Sequence, residues 1–303
     1  MKIPHIPVLL EEVKHAFNDI GDGYIVDCTV GYGGHSEALL EQNPKVKLIC
    51  CDQDRVAIDF SKKRLQKYED RVMFENDKFS NIIGKYPDYP IRGILADIGV
   101  SSLQLDDESR GFGFNSEILD MRMDKNSPLS AYEVVNNYSQ EQLENILRDY
   151  GEVREFKRAT RIICRAREDK EIKSSRQLSG IFKKFPSKKG INPATLIFQA
   201  IRIEVNDELG ELAGLFKAIE SANLSNCLIA VISFHSLEDR IVKRVFKEFA
   251  KSCICPVGAM KCECGNNHSL GKIITRKPIV PGAEEIKKNP RSRSSKMRLF
   301  KIK

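Results

Sequence analysis

The first hundred residues alternate between short apolar runs and stretches whose apolar positions recur at helical spacing. Residues 24–29 (YIVDCT) read as a buried strand, and 46–52 (VKLICCD), 72–74 (VMF) and 91–97 (IRGILAD) as three more. A short helix over 36–41 follows a glycine turn. Asp54 is placed to cap a second helix, whose apolar positions Val56, Ile58, Phe60 and Leu65 are partly helical in spacing. Strands separated by helices of this length pair in parallel, which predicts a doubly wound, Rossmann-like α/β sheet.

The alternation stops near residue 106, and the chain to about 205 reads as helical. Residues 139–142 (SQEQ) form a capping-box pattern, Gly151 stands where that helix ends, and a longer basic helix is expected over 152–167. Helical spacing resumes over 207–220. Residues 227–234 (CLIAVISF) form another apolar strand, and 236–239 (SLED) cap a helix running to about Phe249. The expected organisation is a discontinuous core of 1–105 and 206–303, interrupted by a helical insertion over 106–205. No internal repeat is present.

Composition changes this picture little, and charge changes it more. Apolar residues at 41% and charged residues at 30% suit a globular chain. The N-terminus lacks the pattern of a signal peptide, and no apolar run approaches the length of a membrane span. Nine cysteines, an odd number scattered along the chain, fit reduced thiols and a cytoplasmic setting. The net charge is +7, yet 148–189 holds 14 Lys/Arg against 6 Asp/Glu, and 272–303 holds 11 against 2, leaving the remainder at −10. Two separated basic segments suit a polyanion, although solvated helix faces and a basic tail have the same composition.

Candidate chemistry starts at 27–35, where Asp27, Gly31, Gly33, Gly34 and His35 join the end of the first strand to a helix. Glycines there permit a sharp turn and close approach of backbone N–H groups to a ligand. Asp52, at the end of the second strand, is placed to accept hydrogen bonds from ribose hydroxyls. A dinucleotide fingerprint needs a third glycine where Ser36 stands. Asp27 could also meet a cationic amino-acid end, so the loop fits S-adenosylmethionine better. Phe79, after the third strand, is placed to pack on adenine, or is an ordinary core phenylalanine. Residues 97–106 (DIGVSSLQLD) follow the fourth strand and border the same crevice. Asp97 and Gln104 there are candidates for binding the cofactor's polar groups, and Asp97 for orienting an acceptor amine.

The chain resembles the MraW/RsmH family, bacterial small-subunit ribosomal RNA (cytosine-N4-)-methyltransferases. The similarity runs through 5–11 (HIPVLLE), 27–36, 97–106, 110–114 (RGFGF), 119–124 (LDMRMD), 198–206 (FQAIRIEVN), 232–240 (ISFHSLEDR) and 289–296 (NPRSRSSK). It implies a class I methyltransferase fold and a cofactor site at Gly33, Gly34, His35, Asp52, Phe79, Asp97 and Gln104. It further implies methylation of a cytosine in the decoding region of 16S ribosomal RNA, on naked RNA or an assembled small subunit, with the insertion helping to hold the RNA. A homodimer is left open. Gly113, Ile118 and Leu196 replace the family's usual serine, proline and arginine. Arg110, Arg122, Arg202, His235 and Arg240 lie in the same blocks and suit either phosphate or base contacts or structural pairs.

Two rivals remain. A DNA amino-methyltransferase calls for an (Asp/Asn/Ser)-Pro-Pro-(Tyr/Phe) loop where residues 97–100 read DIGV, and a non-catalytic RNA-binding or assembly factor has no need of Gly33, Gly34, Asp52 and Asp97. Cys253, Cys255, Cys262 and Cys264, with His268 nearby, form C-x-C pairs, closer than the usual C-x2-C of zinc sites; no metal is assigned, and zinc and free thiols both stay open. The tail from Asn289 is expected either to remain disordered until it meets RNA or to add a last strand at 297–300.

Overall fold

The computed structural model describes residues 7–187, 191–256, 258 and 261–303, with only the backbone of Ser102 and Leu103. His5 and Ile6 of the N-terminal block, and Lys188 and Lys189 of the basic segment, lie outside the described residues. The chain divides into two compact units, Met1–Gly99 with Gly210–Lys303, and Val100–Leu209.

The first unit holds one seven-stranded sheet: β1 (Gly23–Asp27), β2 (Val46–Cys51), β3 (Val72–Glu75), β4 (Ile91–Asp97), β5 (Leu228–Ser233), β6 (Gly271–Ile273) and β7 (Lys296–Ile302). The spatial order is β3-β2-β1-β4-β5-β7-β6. The first five strands are parallel, and β7 runs antiparallel between β5 and β6. This is the expected doubly wound, Rossmann-like sheet. Its helices are α1 (Leu10–Ala16), α2 (Gly34–Gln42), α3 (Arg55–Arg64) and α4 (Phe79–Lys85) before the second unit, and, after it, α11 (Glu208–Ser221) from Gly210 onward, α12 (Ser236–Phe249) and α13 (Ala283–Lys288).

Side chains of a strand alternate between faces, so a strand buried on both faces is apolar throughout. Ile25, Leu48, Cys50, Leu95, Ala230 and Leu299 enter one core with Phe17, Leu39 and Ile58 of the α1–α3 side. Their neighbours Val26, Ile49, Cys51, Ile94, Ala96, Val231 and Phe300 enter the other, with Ile82, Leu215 and Phe246. The chain moves outward from β1 to β3 and then crosses to β4. The carboxyl ends of β1 and β4 therefore flank the point where strand order reverses, the place where such sheets bind ligands.

The tail is ordered as β7, so the disordered alternative is corrected. Arg298 of β7 donates to both carboxylate oxygens of Asp239 on α12, at 2.6 and 3.2 Å, and Phe300 is fully buried. Basic composition alone did not reveal that five of the seven strand residues are buried. The cap of α12 is His235, whose side chain accepts the Glu238 N–H, and not Ser236. Asp54 caps α3 as expected, accepting from Val56 N at 3.0 Å. Helices α1 and α13 and strand β6 were not anticipated, since each has seven residues or fewer and so little periodicity.

The second unit contains α5 (Ser102–Asp106), α6 (Ala131–Asn137), α7 (Gln140–Asp149), α8 (Phe156–Asp169), α9 (Ser175–Ile181) and α10 (Thr195–Asn206). Leu143, Leu147, Ile163, Leu178, Phe182, Ile197 and Ile201 lie in its own core. The Ser139–Gln142 capping box opens α7 as expected. The basic helix begins at Phe156 instead of residue 152, because Glu152 takes a left-handed φ of 48°. Gly151 has a further constraint, since a Cβ there would lie 2.8 Å from the Leu196 carbonyl oxygen. Among the described residues no helix is long and apolar enough to cross a membrane.

Gly93 tests the tightness of the sheet packing. A Cβ at this position would lie 2.6 Å from the Phe17 ring, whereas one on Gly84 of α4 meets nothing within 4 Å. Gly93→Ala is expected to destabilise the protein by about 1–3 kcal/mol through overpacking. Gly84→Ala should stabilise it by about 0.5–1 kcal/mol by lowering the entropy of the unfolded chain. Urea unfolding followed by circular dichroism distinguishes them, and equal midpoints would contradict the packing assigned to Phe17.

Candidate active site

Three neighbouring parallel strands each deliver an aspartate at their carboxyl end: Asp52 just after β2, Asp27 on β1 and Asp97 on β4. Asp27 is only 2% exposed. Its carboxylate accepts the Ser36 hydroxyl at 2.6 Å and the Thr29 N–H at 3.2 Å. It therefore braces the loop from within. Burial pushes its pKa up to about 6, against the lowering effect of those two hydrogen bonds.

The glycine loop is held by its own neighbours. Gly31 and Gly33 have φ of 50° and 73°, a region that disfavours side chains. Gly31 N–H donates to Asp52 Oδ2 at 3.0 Å, the Gly31 carbonyl accepts Ser61 Oγ–H at 2.7 Å, and Arg64 donates to the Tyr32 carbonyl at 3.0 Å. Gly34 has a packing constraint of its own: a Cβ there would lie 2.4 Å from Pro7. Asp52 also accepts the Asp54 N–H at 2.9 Å. Burial raises its pKa to about 7, with the Asp54 and Asp27 charges adding to the rise against two backbone hydrogen bonds. A carboxylate with two acceptor sites per oxygen retains capacity beyond these two bonds.

His35 and Asp97 meet beside the loop. His35 Nε2 lies 2.9 Å from the Val8 carbonyl, fixing the ring, and Nδ1 lies 3.7 Å from Asp97 Oδ2. The Asp97 N–H donates to Thr29 Oγ1 at 2.8 Å, which ties β4 to the loop after β1. Asp97 Oδ1 is buried with no hydrogen-bond partner. Burial, then the charges of Asp27 and Glu238, push the Asp97 pKa up to about 8. Glu238 was not singled out from sequence as an electrostatic member of this site. It sits at the third position of α12 and accepts the Phe234 N–H at 2.8 Å and the His235 N–H at 3.2 Å. Its only signal was the capping position in SFHSLED. Ser61, Arg64 and Thr29 were missed because they act through the loop and belong to no glycine pattern.

No Lys or Arg pairs with Asp27, Asp52, Asp97 or Glu238 among the described residues; the only ion-pair partners they have are His35 and His235. Such an arrangement favours a ligand bringing positive charge and N–H donors, and the unpartnered Asp97 oxygen is a ready acceptor. Phe79 opens α4 right after this strand-end region and packs, partly buried, against the core that contains Ile82. His235 is engaged as a helix cap, with Nε2 3.0 Å from Glu238 Oε1.

Gln104 belongs to the second unit, where its side chain accepts the Ser101 N–H at 3.0 Å and closes the first turn of α5. Three arginines of that unit are tied down internally. Arg110 donates to the Arg122 and Met123 carbonyls at 3.0 Å, Arg122 pairs with Asp120 at 2.7 Å, and Arg202 forms a two-pronged pair with Glu208 at 2.7 and 2.9 Å. Helix α8 differs. It buries Ala159, Thr160 and Ile163 and exposes Lys157, Arg158, Arg161 and Arg165. Leu196, at an arginine position of the family pattern, is exposed on α10.

Residues 2–303 match the sequence model of the MraW methylase family. Ribosomal RNA small subunit methyltransferase H of Aliarcobacter butzleri is 60% identical over 302 residues, covering 100% of this chain and 100% of that protein. The proteins of the same name from Campylobacter fetus and Wolinella succinogenes are 53% and 52% identical, over 100% of this chain and 99% and 100% of theirs. Among solved structures, an rRNA methylase from Streptococcus thermophilus aligns at a TM-score of 0.44 and 9% identity, over 98% of each chain.

The raised carboxyls make a stability prediction. An aspartate whose pKa rises from an ordinary 3.8 to about 8 on folding binds its proton more tightly in the folded state. Its contribution is fully present below the unfolded value and is lost as pH rises towards the folded one. The ligand-free protein should lose stability from this source between about pH 4 and pH 8. Asp97→Asn, which keeps the shape of the protonated group, should gain on the wild type as pH rises through that window. Thermal unfolding across the range checks this, and a variant that gains nothing at higher pH would contradict the buried setting of Asp97.

Proposed function

Because this chain belongs to the MraW methylase family, we propose that it is an S-adenosylmethionine-dependent methyltransferase that methylates cytosine N4 in the decoding region of 16S ribosomal RNA. The observation that carries this reading is the acid-lined end of β2, β1 and β4 with the unpartnered Asp97 Oδ1. When bound, S-adenosylmethionine supplies an electrophilic methyl group on a cationic sulfur. Asp52 would accept the ribose hydroxyls, Phe79 would pack on adenine, and the first N–H groups of α2, from Gly34 and His35, would hold the ligand's carboxylate. Gly33 sets the turn that aims them.

Cytosine N4 is a weak nucleophile because its lone pair is delocalised into the ring. Asp97 accepts an N4–H hydrogen bond, aligns the amine and takes the proton that nitrogen sheds as the new N–C bond forms and the methyl's bond to sulfur breaks, its electron pair staying on sulfur. A carboxyl with a pKa raised to about 8 is suited to that task. The base must leave its stack to reach the site, so a single-stranded or flipped-out cytosine is the substrate form.

The insertion acts as the RNA-holding domain, with Lys157, Arg158, Arg161 and Arg165 of α8 meeting phosphates. Arg110, Arg122 and Arg202 shape that domain instead of meeting RNA. The protein acts in the cytoplasm, on small-subunit RNA or the assembled subunit.

Transfer of tritiated methyl from labelled cofactor to small subunits of a strain lacking this enzyme, followed by nucleoside analysis, tests the reading. Label is expected on N4-methylated cytidine. Asp97→Asn should lower transfer by about 10²–10⁴-fold while cofactor binding persists, and loss of cofactor binding would assign Asp97 to the cofactor instead. Arg161→Glu with Arg165→Glu should weaken RNA binding and make it less salt-dependent, by roughly one unit of slope for each phosphate no longer neutralised. Label confined to adenosine or DNA would overturn the assignment.

A further inference from the structure

The nine cysteines fall into two physical groups. Cys28, Cys50, Cys51 and Cys227 are buried in the sheet core, and Cys164 is half-buried in the second unit. The other four belong to the segment between α12 and β6, outside everything used above. Cys253, Cys255, Cys262 and Cys264 bring their Sγ atoms within 4.8 Å of one another. Three of the separations are 3.6 Å (Cys253–Cys262), 3.6 Å (Cys262–Cys264) and 3.7 Å (Cys253–Cys264). Sulfur atoms in a disulfide lie about 2.05 Å apart. Four thiolates around zinc, each about 2.3 Å from the metal, lie about 3.8 Å from one another if tetrahedral. The observed spacing matches the second geometry.

The backbone between the cysteines supports the same arrangement. The N–H of Ile254, between the first two cysteines, donates to Cys264 Sγ at 3.4 Å. That of Glu263, between the last two, donates to Cys255 Sγ at 3.4 Å. Each C-x-C pair thus hands an amide proton to a sulfur of the other, which favours the thiolate form that zinc requires. Gly265 and Asn266, with φ of 81° and 55°, turn the chain directly after the last cysteine. His268 is held apart from the four sulfurs, its Nε2 2.8 Å from the Cys264 carbonyl and its N–H on the Ser252 carbonyl at 3.0 Å. The close C-x-C spacing, which argued against a metal in the sequence, is accommodated because the two pairs face one another.

We propose that Cys253, Cys255, Cys262 and Cys264 form a structural zinc site. Binding breaks four S–H bonds and makes four Zn–S bonds, with the four protons passing to solvent and no change of oxidation state. All four positions are taken by protein sulfur, so the ion offers no open position to water or substrate and serves to fix the segment. That segment leads through the Leu270 N–H, which donates to the Phe249 carbonyl at 2.8 Å, into the edge strand β6. Zinc there staples the return of the chain from α12 to the sheet edge.

Full-length protein purified in reducing buffer, without added metal, chelator or a metal-affinity step, should contain about one zinc per chain by elemental analysis. Cys253→Ser with Cys262→Ser should remove it, and Cys164→Ser should leave it in place. Should the double variant fail to fold, the wild type still decides. Stripping with chelator should expose four additional thiols to a thiol reagent and lower the melting temperature. Adding zinc alone should restore both, and adding cobalt(II) should give the visible absorption of a tetrahedral thiolate complex. Four freely reactive thiols in metal-free protein as purified, a disulfide by mass, or iron with acid-labile sulfide would each overturn the proposal.

Discussion

Three carboxylates at the ends of adjacent parallel strands, with no Lys or Arg paired to them among the described residues, are the constraint on which the rest of the first unit depends. Asp27, Asp52 and Asp97 would repel one another if all were ionised, and burial raises each of them before that repulsion is added. The surroundings are built to keep them there. Ser36 and the Thr29 N–H hold Asp27, the Gly31 and Asp54 N–H groups hold Asp52, and His35 stands beside Asp97. A site that stores unfavourable charge in this way gains most from a cationic ligand.

The sheet was readable from sequence because each central strand is buried on both faces and so carries an uninterrupted apolar run. The strand ends were readable too, and they placed Asp52 and Asp97 near the switch point. What sequence could not give was the direction in which each side chain is used. Asp27 also braces the loop through Ser36 and Thr29. Gly34 also leaves room for Pro7. Glu238 looked like an ordinary helix-start acid and contributes to the field at Asp97. In each case a partner far away in sequence decides the role, and local patterns hold no record of it.

The second unit draws the same distinction among its basic residues. Composition marked 148–189 as one basic block, yet its neighbours Arg110, Arg122 and Arg202 fill internal acceptors while Lys157, Arg158, Arg161 and Arg165 project from α8. Within α8, amphipathic spacing around Ala159, Thr160 and Ile163 separates the exposed Arg158, Arg161 and Arg165 from Arg167, which donates to the Val135 carbonyl at 2.8 Å, and net charge does not. The basic tail is a reverse case, since Arg298 and Phe300 turn it into an inner strand of the sheet.

Proton linkage tests the central claim most directly. If a cationic ligand is held beside carboxyls whose pKa values lie at about 7 and 8, binding must favour their ionised forms. Titration calorimetry of S-adenosylmethionine near about pH 7, repeated in buffers of different ionisation enthalpy, reads the protons exchanged on binding. Net proton release, with affinity rising as pH increases, is the predicted result. Proton uptake, or binding indifferent to buffer and pH, would contradict it.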